Sequence, residues 1–162
     1  MILVEADVSE DWDSSTDWPA LADRSVLAAI RHSHHAALAA SDTEISVKFT
    51  SDAEVHALNA EWRGKDKPTN VLSFPMAEED ELADAPMLGD IVLAHGVCAV
   101  EAADKCIPME DHAAHLVVHG TLHLLGYDHE TSDEDAEEME EAERQALASI
   151  GIADPYRLSP IN

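Results

Sequence analysis

The chain has 162 residues, 46% of them hydrophobic, with 34 Asp and Glu against 9 Lys and Arg and a formal charge of −25. That length suits one compact domain, which buries roughly 70% of its unfolded surface and needs no disulfide framework. The charge argues against a general nucleic-acid binder, because phosphate binding is normally driven by a basic surface.

ILVEADV, residues 2–8, opens the chain as a short apolar strand. The acidic N-terminus lacks the basic region of a signal peptide, and no apolar run reaches the roughly 18 residues of a membrane span. The chain therefore reads as soluble and cytoplasmic. Residues 18–40 read as one long helix entered at Trp18-Pro19, with Leu21, Val26, Leu27, Ile30 and Leu38 near helical spacing. Glu44 to Thr50 alternates apolar and polar residues as a half-buried strand does. Ser51 and Glu54 then form a capping box for a helix that presents Val55 and Leu58 on one face and stops near Gly64. The polar link KDKPT leads into NVLSF, a strand closed by Pro75, and an acidic loop at 77–86 separates it from the strand LGDIVLA.

Gly96 to Lys105 reads as a helix that ends before Pro108, and Met109 to Leu125 as another that carries four histidines. Thr131-Ser132 starts a last acidic helix that runs to about Ile150 and ends at Gly151. No repeat or linker divides the chain, so residues 1–162 form a single domain of about four strands and five helices. Strands separated by helices, with one strand–loop–strand pair, predict an α+β fold on a mixed sheet. On a helix Cys98 and Cys106 lie about 12 Å apart, too far for a disulfide. Both read as small buried apolar side chains of a reducing compartment.

The charges are unevenly placed. Residues 130–143, ETSDEDAEEMEEAE, hold nine carboxylates and no base, which reads as a solvated face that keeps the protein in solution. Arg63, Lys65 and Lys67 fall within five residues and form the only basic patch.

Among ten histidines, His119 and His123 are four apart, so on a helix their rings lie one turn apart on one face. That spacing lets both bind one zinc ion at about 2.0–2.1 Å per nitrogen. Gly126 can adopt positive φ, end the helix and turn the chain back so that His129 arrives as a third ligand. Three neutral imidazoles leave a fourth position open, as a catalytic zinc site requires. His115 stands one turn before His119, but three histidines in line along a helix cannot converge on one ion. His112 and His115 are therefore assigned to solvent or to backing the ligands. His32, His34 and His35 follow no ligand spacing and read as helix surface. The pattern is similar to the H-E-x-x-H-x-x-G-x-x-H motif of metzincin peptidases. Here Gly120 replaces the Glu that acts as general base, which argues against peptidase activity.

HGTLHLLGYDH, with LNAEWRGKDKPTNVLSFP and LGDIVLA upstream, resembles the YbeY family of bacterial rRNA maturation factors over roughly residues 43–130. The resemblance implies a mixed four-stranded sheet surrounded by helices, with a zincin-like metal helix. It implies a zinc-dependent, single-strand-specific endoribonuclease acting in small-subunit rRNA 3′-end maturation and ribosome quality control. Its partners would be single-stranded RNA, the small ribosomal subunit and assembly proteins, with no membrane involved. By matched position, His119, His123 and His129 would hold one Zn²⁺ per chain. Arg63, in W-R-G-K, matches the arginine needed for activity, and His119 is implicated in activity as well. The usual T-D-V-L-S-F has Asn70 in place of its Asp, which puts any acid role at that position in doubt.

On this reading zinc activates water or polarises a phosphoryl oxygen while Arg63 balances charge gathering on phosphate. The planar fork of an arginine can hold two phosphate oxygens. Lys65 and Lys67 either steer the RNA backbone or are merely exposed; Ser73 and Thr69 could hydrogen-bond near the cleft. A negative body would then suppress indiscriminate RNA binding. Two other readings stand beside this one: a non-catalytic assembly factor stabilised by zinc, and a zinc hydrolase for a small phosphate substrate. Imidazole ligands accept several divalent ions, so residue types alone do not single out zinc.

Overall fold

Four strands form on the apolar segments read from the sequence: β1 (Ile2–Val8), β2 (Thr43–Thr50), β3 (Val71–Pro75) and β4 (Gly89–Ala94). The computed structural model, which describes residues 1–156, pairs them in the order β1-β2-β4-β3. β1, β2 and β4 run parallel, and β3 lies antiparallel on the edge against β4. Parallel neighbours need a crossover, and α1 (Trp18–Arg31) supplies the first, between β1 and β2. The other helices are α2 (Asp52–Arg63), α3 (His95–Lys105), α4 (Met109–Leu124) and α5 (Asp133–Ser149). Among the described residues, no helix is long and apolar enough to cross a membrane.

Successive strand residues face opposite sides, and the sheet divides its core accordingly. Ile45, Val47 and Phe49 of β2 and Ile91 and Leu93 of β4 pack into the large core with Leu21, Val26 and Ile30 of α1 and Val117 and Leu122 of α4. Leu72, Val92 and Ala94 turn the other way and meet Val55 of α2 in a smaller cluster. The α4 side of the sheet is thus fully covered, whereas α2 covers only part of the opposite face.

The single helix expected over 18–40 is broken. α1 ends at Arg31, with His32 as its C-cap, and a short 3₁₀ segment follows at Ala36–Ala40. The intervening residues are poor helix formers. The Ser33 hydroxyl donates to the Ile30 carbonyl at 2.7 Å, and the His34 amide donates to the Tyr127 hydroxyl. His32, His34 and His35 therefore occupy the break rather than a helix face. His34 lies 2.8 Å from Glu138 and His35 3.1 Å from Glu79. The expected acidic loop contains a second 3₁₀ segment, Glu79–Asp84. Cys98 is buried, as expected; Cys106 is exposed, because it caps α3 in a left-handed conformation instead of packing inward.

A candidate metal centre

α4 is buried along most of its length between the sheet and α1. Glu110 and Asp111 lie in its first turn, where the helix dipole favours carboxylates. It comes close to the sheet at Gly120. A Cβ there would come within 2.9 Å of Ile91 Cγ2 and 3.0 Å of Ser73 Oγ, and Ser73 Oγ donates to the Gly120 carbonyl at 3.2 Å. At the position where the peptidase motif carries its general base, even a methyl group would force its neighbours to shift. The departure from that motif is built into the packing.

His119, immediately before this contact, and His123, three residues after it, turn the other way. Their Nε2 atoms lie 3.1 Å apart. The helix then closes in a Schellman arrangement, with the Tyr127 amide donating to the Leu122 carbonyl and the Gly126 amide to that of His123. Gly126 has φ +101°, a conformation that glycine adopts without penalty. The reversal brings His129 back, its ring 5.2 Å from those of both His119 and His123. One nitrogen from each of the three lies within 4.8 Å of the others.

The tautomer of His119 follows from its partner. Glu143 of α5 is fully buried, and its Oε2 accepts from His119 Nδ1 at 2.8 Å. With the proton held at Nδ1, the Nε2 lone pair is left facing His123 and His129. The other oxygen, Oε1, accepts from His115 Nε2 at 2.6 Å and from the Tyr156 hydroxyl. Burial alone would raise the Glu143 carboxyl, but the hydrogen bonds from His115 and His119 and their electrostatic attraction for it outweigh burial and hold it at about 2. Burial pushes His123 down to about 4, and the nearby His119 and His129 act in the same direction. It therefore stays neutral, the form a metal ligand needs. Two nitrogens at 3.1 Å are close to the separation of about 3.3 Å for tetrahedral ligands at about 2.05 Å. The donor set fits a divalent metal ion.

His112 and His115 do not face solvent; both are buried. His112 Nε2 lies 2.7 Å from Glu101 Oε1, and burial, only partly opposed by Glu101, lowers its pKa. Glu101 also accepts from Asn70 Nδ2 at 3.0 Å. An Asp at position 70 would set a second carboxylate against Glu101; the amide instead donates to it.

Arg63, Lys65, Ser73, His119, His123 and His129 line one cleft of about 690 Å³. Arg63 and Lys65 are exposed. Ion pairs of lysine and arginine side chains are confined, among the described residues, to Lys48 and Arg144. Thr69 lines the cleft, whereas Lys67 does not. Two residues of this site escaped sequence reasoning: Glu143, submerged in a run of acids, and Tyr156. For Glu143 a signal existed. Met139, Ala142, Ala146 and Leu147 form the buried stripe of α5, and Glu143 lies on it, four residues from both Met139 and Leu147.

The family described as "Endoribonuclease YbeY" matches residues 10–151, well beyond the span over which the motifs alone carry the resemblance. A protein named Endoribonuclease YbeY from Rhizorhabdus wittichii is 52% identical, with 98% of this chain and 99% of the relative covered. One of the same name from Novosphingobium aromaticivorans is 52% identical, with 95% of each covered. The solution structure of TM1509 from Thermotoga maritima superposes with a TM-score of 0.56 at 26% identity, covering 98% of this chain and 100% of that one.

Proposed function

The chain belongs to the YbeY family, and from that premise we propose that it is a metal-dependent endoribonuclease that cuts single-stranded RNA in small-subunit rRNA 3′-end maturation. The observation that carries this reading is the shared cleft: two unpaired bases, Arg63 and Lys65, line the same cavity as the three converging histidines. On a chain of charge −25, Arg63 and Lys65 give an anionic strand a basic approach that opens onto the candidate metal centre. The domain would act in the cytoplasm, with one Zn²⁺ per chain held by His119, His123 and His129.

When bound, the metal would supply Lewis acidity toward a phosphoryl oxygen or water. The chain's own residues do the rest. Glu143 keeps the His119 proton on Nδ1, so that Nε2 meets the cleft already deprotonated. His115 and Tyr156 hold Glu143 in turn, and such outer partners typically tune metal affinity about 10–100-fold. Arg63 holds the scissile phosphate and balances the charge that gathers on it; loss of one preorganised donor of this kind costs about 10²–10³ in rate. The acidic body repels strands that miss this edge.

Cleavage of a single-stranded rRNA 3′-end fragment by metal-stripped, zinc-restored and Arg63→Ala samples tests the reading. Cutting that returns with zinc and falls about 10²–10³-fold in the variant supports it. Cutting that survives both changes, or none in the restored enzyme, overturns it.

A further inference from the structure

The sheet face opposite α4 carries a feature that the cleavage reading does not use. Leu58 and Trp62 of α2, Phe74 and Pro75 of β3, Met76 and Val92 line a groove of about 560 Å³. Trp62 is 66% exposed and Met76 58%, whereas Trp12 and Trp18 are buried. Single exposed apolar side chains are ordinary, but an exposed indole and an exposed thioether lining one groove with Leu58, Phe74 and Val92 make a contiguous apolar patch.

Its position says what covers it. Trp62 immediately precedes Arg63 in the last turn of α2, so the aromatic ring and the basic patch issue from the same helix end. Pro75, at the end of edge strand β3, lines both this groove and the metal cleft. A chain leaving the cleft round the β3 edge enters the groove directly. The polar groups there disfavour phosphate. Lys48 is paired with Glu54, and Asp90, which has no partner among the described residues, adds a negative charge to the wall. A neutral, flat, apolar-faced group fits; an anion belongs on the side of Arg63 and Lys65.

We infer that Trp62 is a stacking platform for an unpaired nucleobase of the RNA strand held in the cleft, with the phosphates flanking that base on Arg63 and Lys65. This rests on the endoribonuclease reading and names a subsite for the same substrate. Alternating aromatic faces and bases is the general means of holding single strands without reading sequence. A base locked in a duplex cannot reach the ring, so the platform supplies selection for single strands.

Trp62 being the exposed tryptophan of three, its emission reports the contact. The metal-loaded protein is mixed in stopped flow with a short single-stranded RNA or with the same strand in a duplex, and emission is read before cleavage. The single strand should quench wild-type emission and the duplex should not; Trp62→Phe should abolish the quench. In steady-state cleavage, Trp62→Ala should raise KM about 5- to 100-fold, the range for one base–aromatic stack, with kcat unchanged and Trp62→Phe restoring part of the loss. An unquenched signal together with an unchanged KM in a wild type that still cuts RNA overturns the platform and leaves the nuclease standing. A wild type that neither binds nor cuts RNA removes both. Self-association of the RNA-free protein in sedimentation, abolished by Trp62→Ala, assigns the groove to a second copy of the chain and overturns the inference.

Discussion

The two halves of α4 hold the same residue type and treat it in opposite ways. His112 and His115 each give Nε2, the nitrogen at the tip of the ring, to a carboxylate, Glu101 in one case and Glu143 in the other. His119 meets the same Glu143 through Nδ1, the nitrogen nearer the backbone. One carboxylate thus consumes the tip of one imidazole and frees the tip of the next. Among in-line histidines, the side from which a carboxylate approaches decides which ring is structural and which can be a ligand.

The largest separation between the halves should come from His129→Ala. His129 is exposed, on a loop beyond Gly126, so its loss leaves the core intact and removes one of three donors. Metal retained after dialysis and RNA cleavage should fall by at least about 100-fold, more than the loss of an outer partner. The thermal midpoint of the metal-free protein should move by no more than an exposed substitution does, within about 0.5 kcal/mol. Unfolding of the variant would instead favour a metal with a purely stabilising role.

Next comes Glu143→Gln, which keeps the shape of the side chain but not its two acceptor oxygens. One amide end can still accept, while the other must present N–H to a histidine or to Tyr156. Metal affinity should drop about 10–100-fold, read by competition with a chromophoric chelator, and the apo protein should lose about 1–3 kcal/mol from unpaired buried groups. An unaltered affinity would show that His119 needs no orienting partner.

The same contrast explains what the sequence could and could not reveal. The i, i+4 pair, the glycine turn and His129 were legible because a helix and a reversal at Gly126 follow from local chemistry. β2 was legible from alternation and the other strands as short apolar runs, and β4 is apolar on both faces, with Ile91 and Leu93 on one and Val92 on the other. Glu143 was hidden because its partners lie 24 and 28 positions away and its neighbours are solvated acids. The break after Arg31 was hidden for a related reason, since the Tyr127 hydroxyl that receives the His34 amide lies 93 residues further on.

A smaller effect should come from Gly120→Ala. The new methyl would meet Ile91 of β4 at 2.9 Å and Ser73 Oγ of β3 at 3.0 Å, so these side chains or α4 itself must shift. Overpacking of this sort costs about 1–3 kcal/mol, measurable as a lower urea midpoint, with metal affinity reduced less than by Glu143→Gln. A fully stable alanine variant would mean that the contact relaxes freely.

The most diagnostic effect is in the pH dependence of stability in the metal-free protein. Burial, the leading cause, lowers His112 below its ordinary 6.5, with Lys105 and His115 adding to the shift and Glu101 opposing it; His123 is lowered to about 4. As pH falls through 6.5 the unfolded chain takes up protons that the folded chain refuses, so stability present above that value is lost. Glu143 behaves differently. Its folded pKa of about 2 lies below the ordinary 4.5, so its contribution is complete above 4.5 and disappears as pH falls toward 2. Urea midpoints measured against pH should show one decline starting near 6.5 and another starting near 4.5. His112→Gln, whose amide can still reach Glu101, should flatten the first in part, because His123 remains, and leave the second. Glu143→Gln should remove the second. If His112→Gln leaves the first decline as steep as in the wild type, His112 is protonated in the folded state. The upper half of α4 would then be held by a charged pair with Glu101, not by a neutral hydrogen bond.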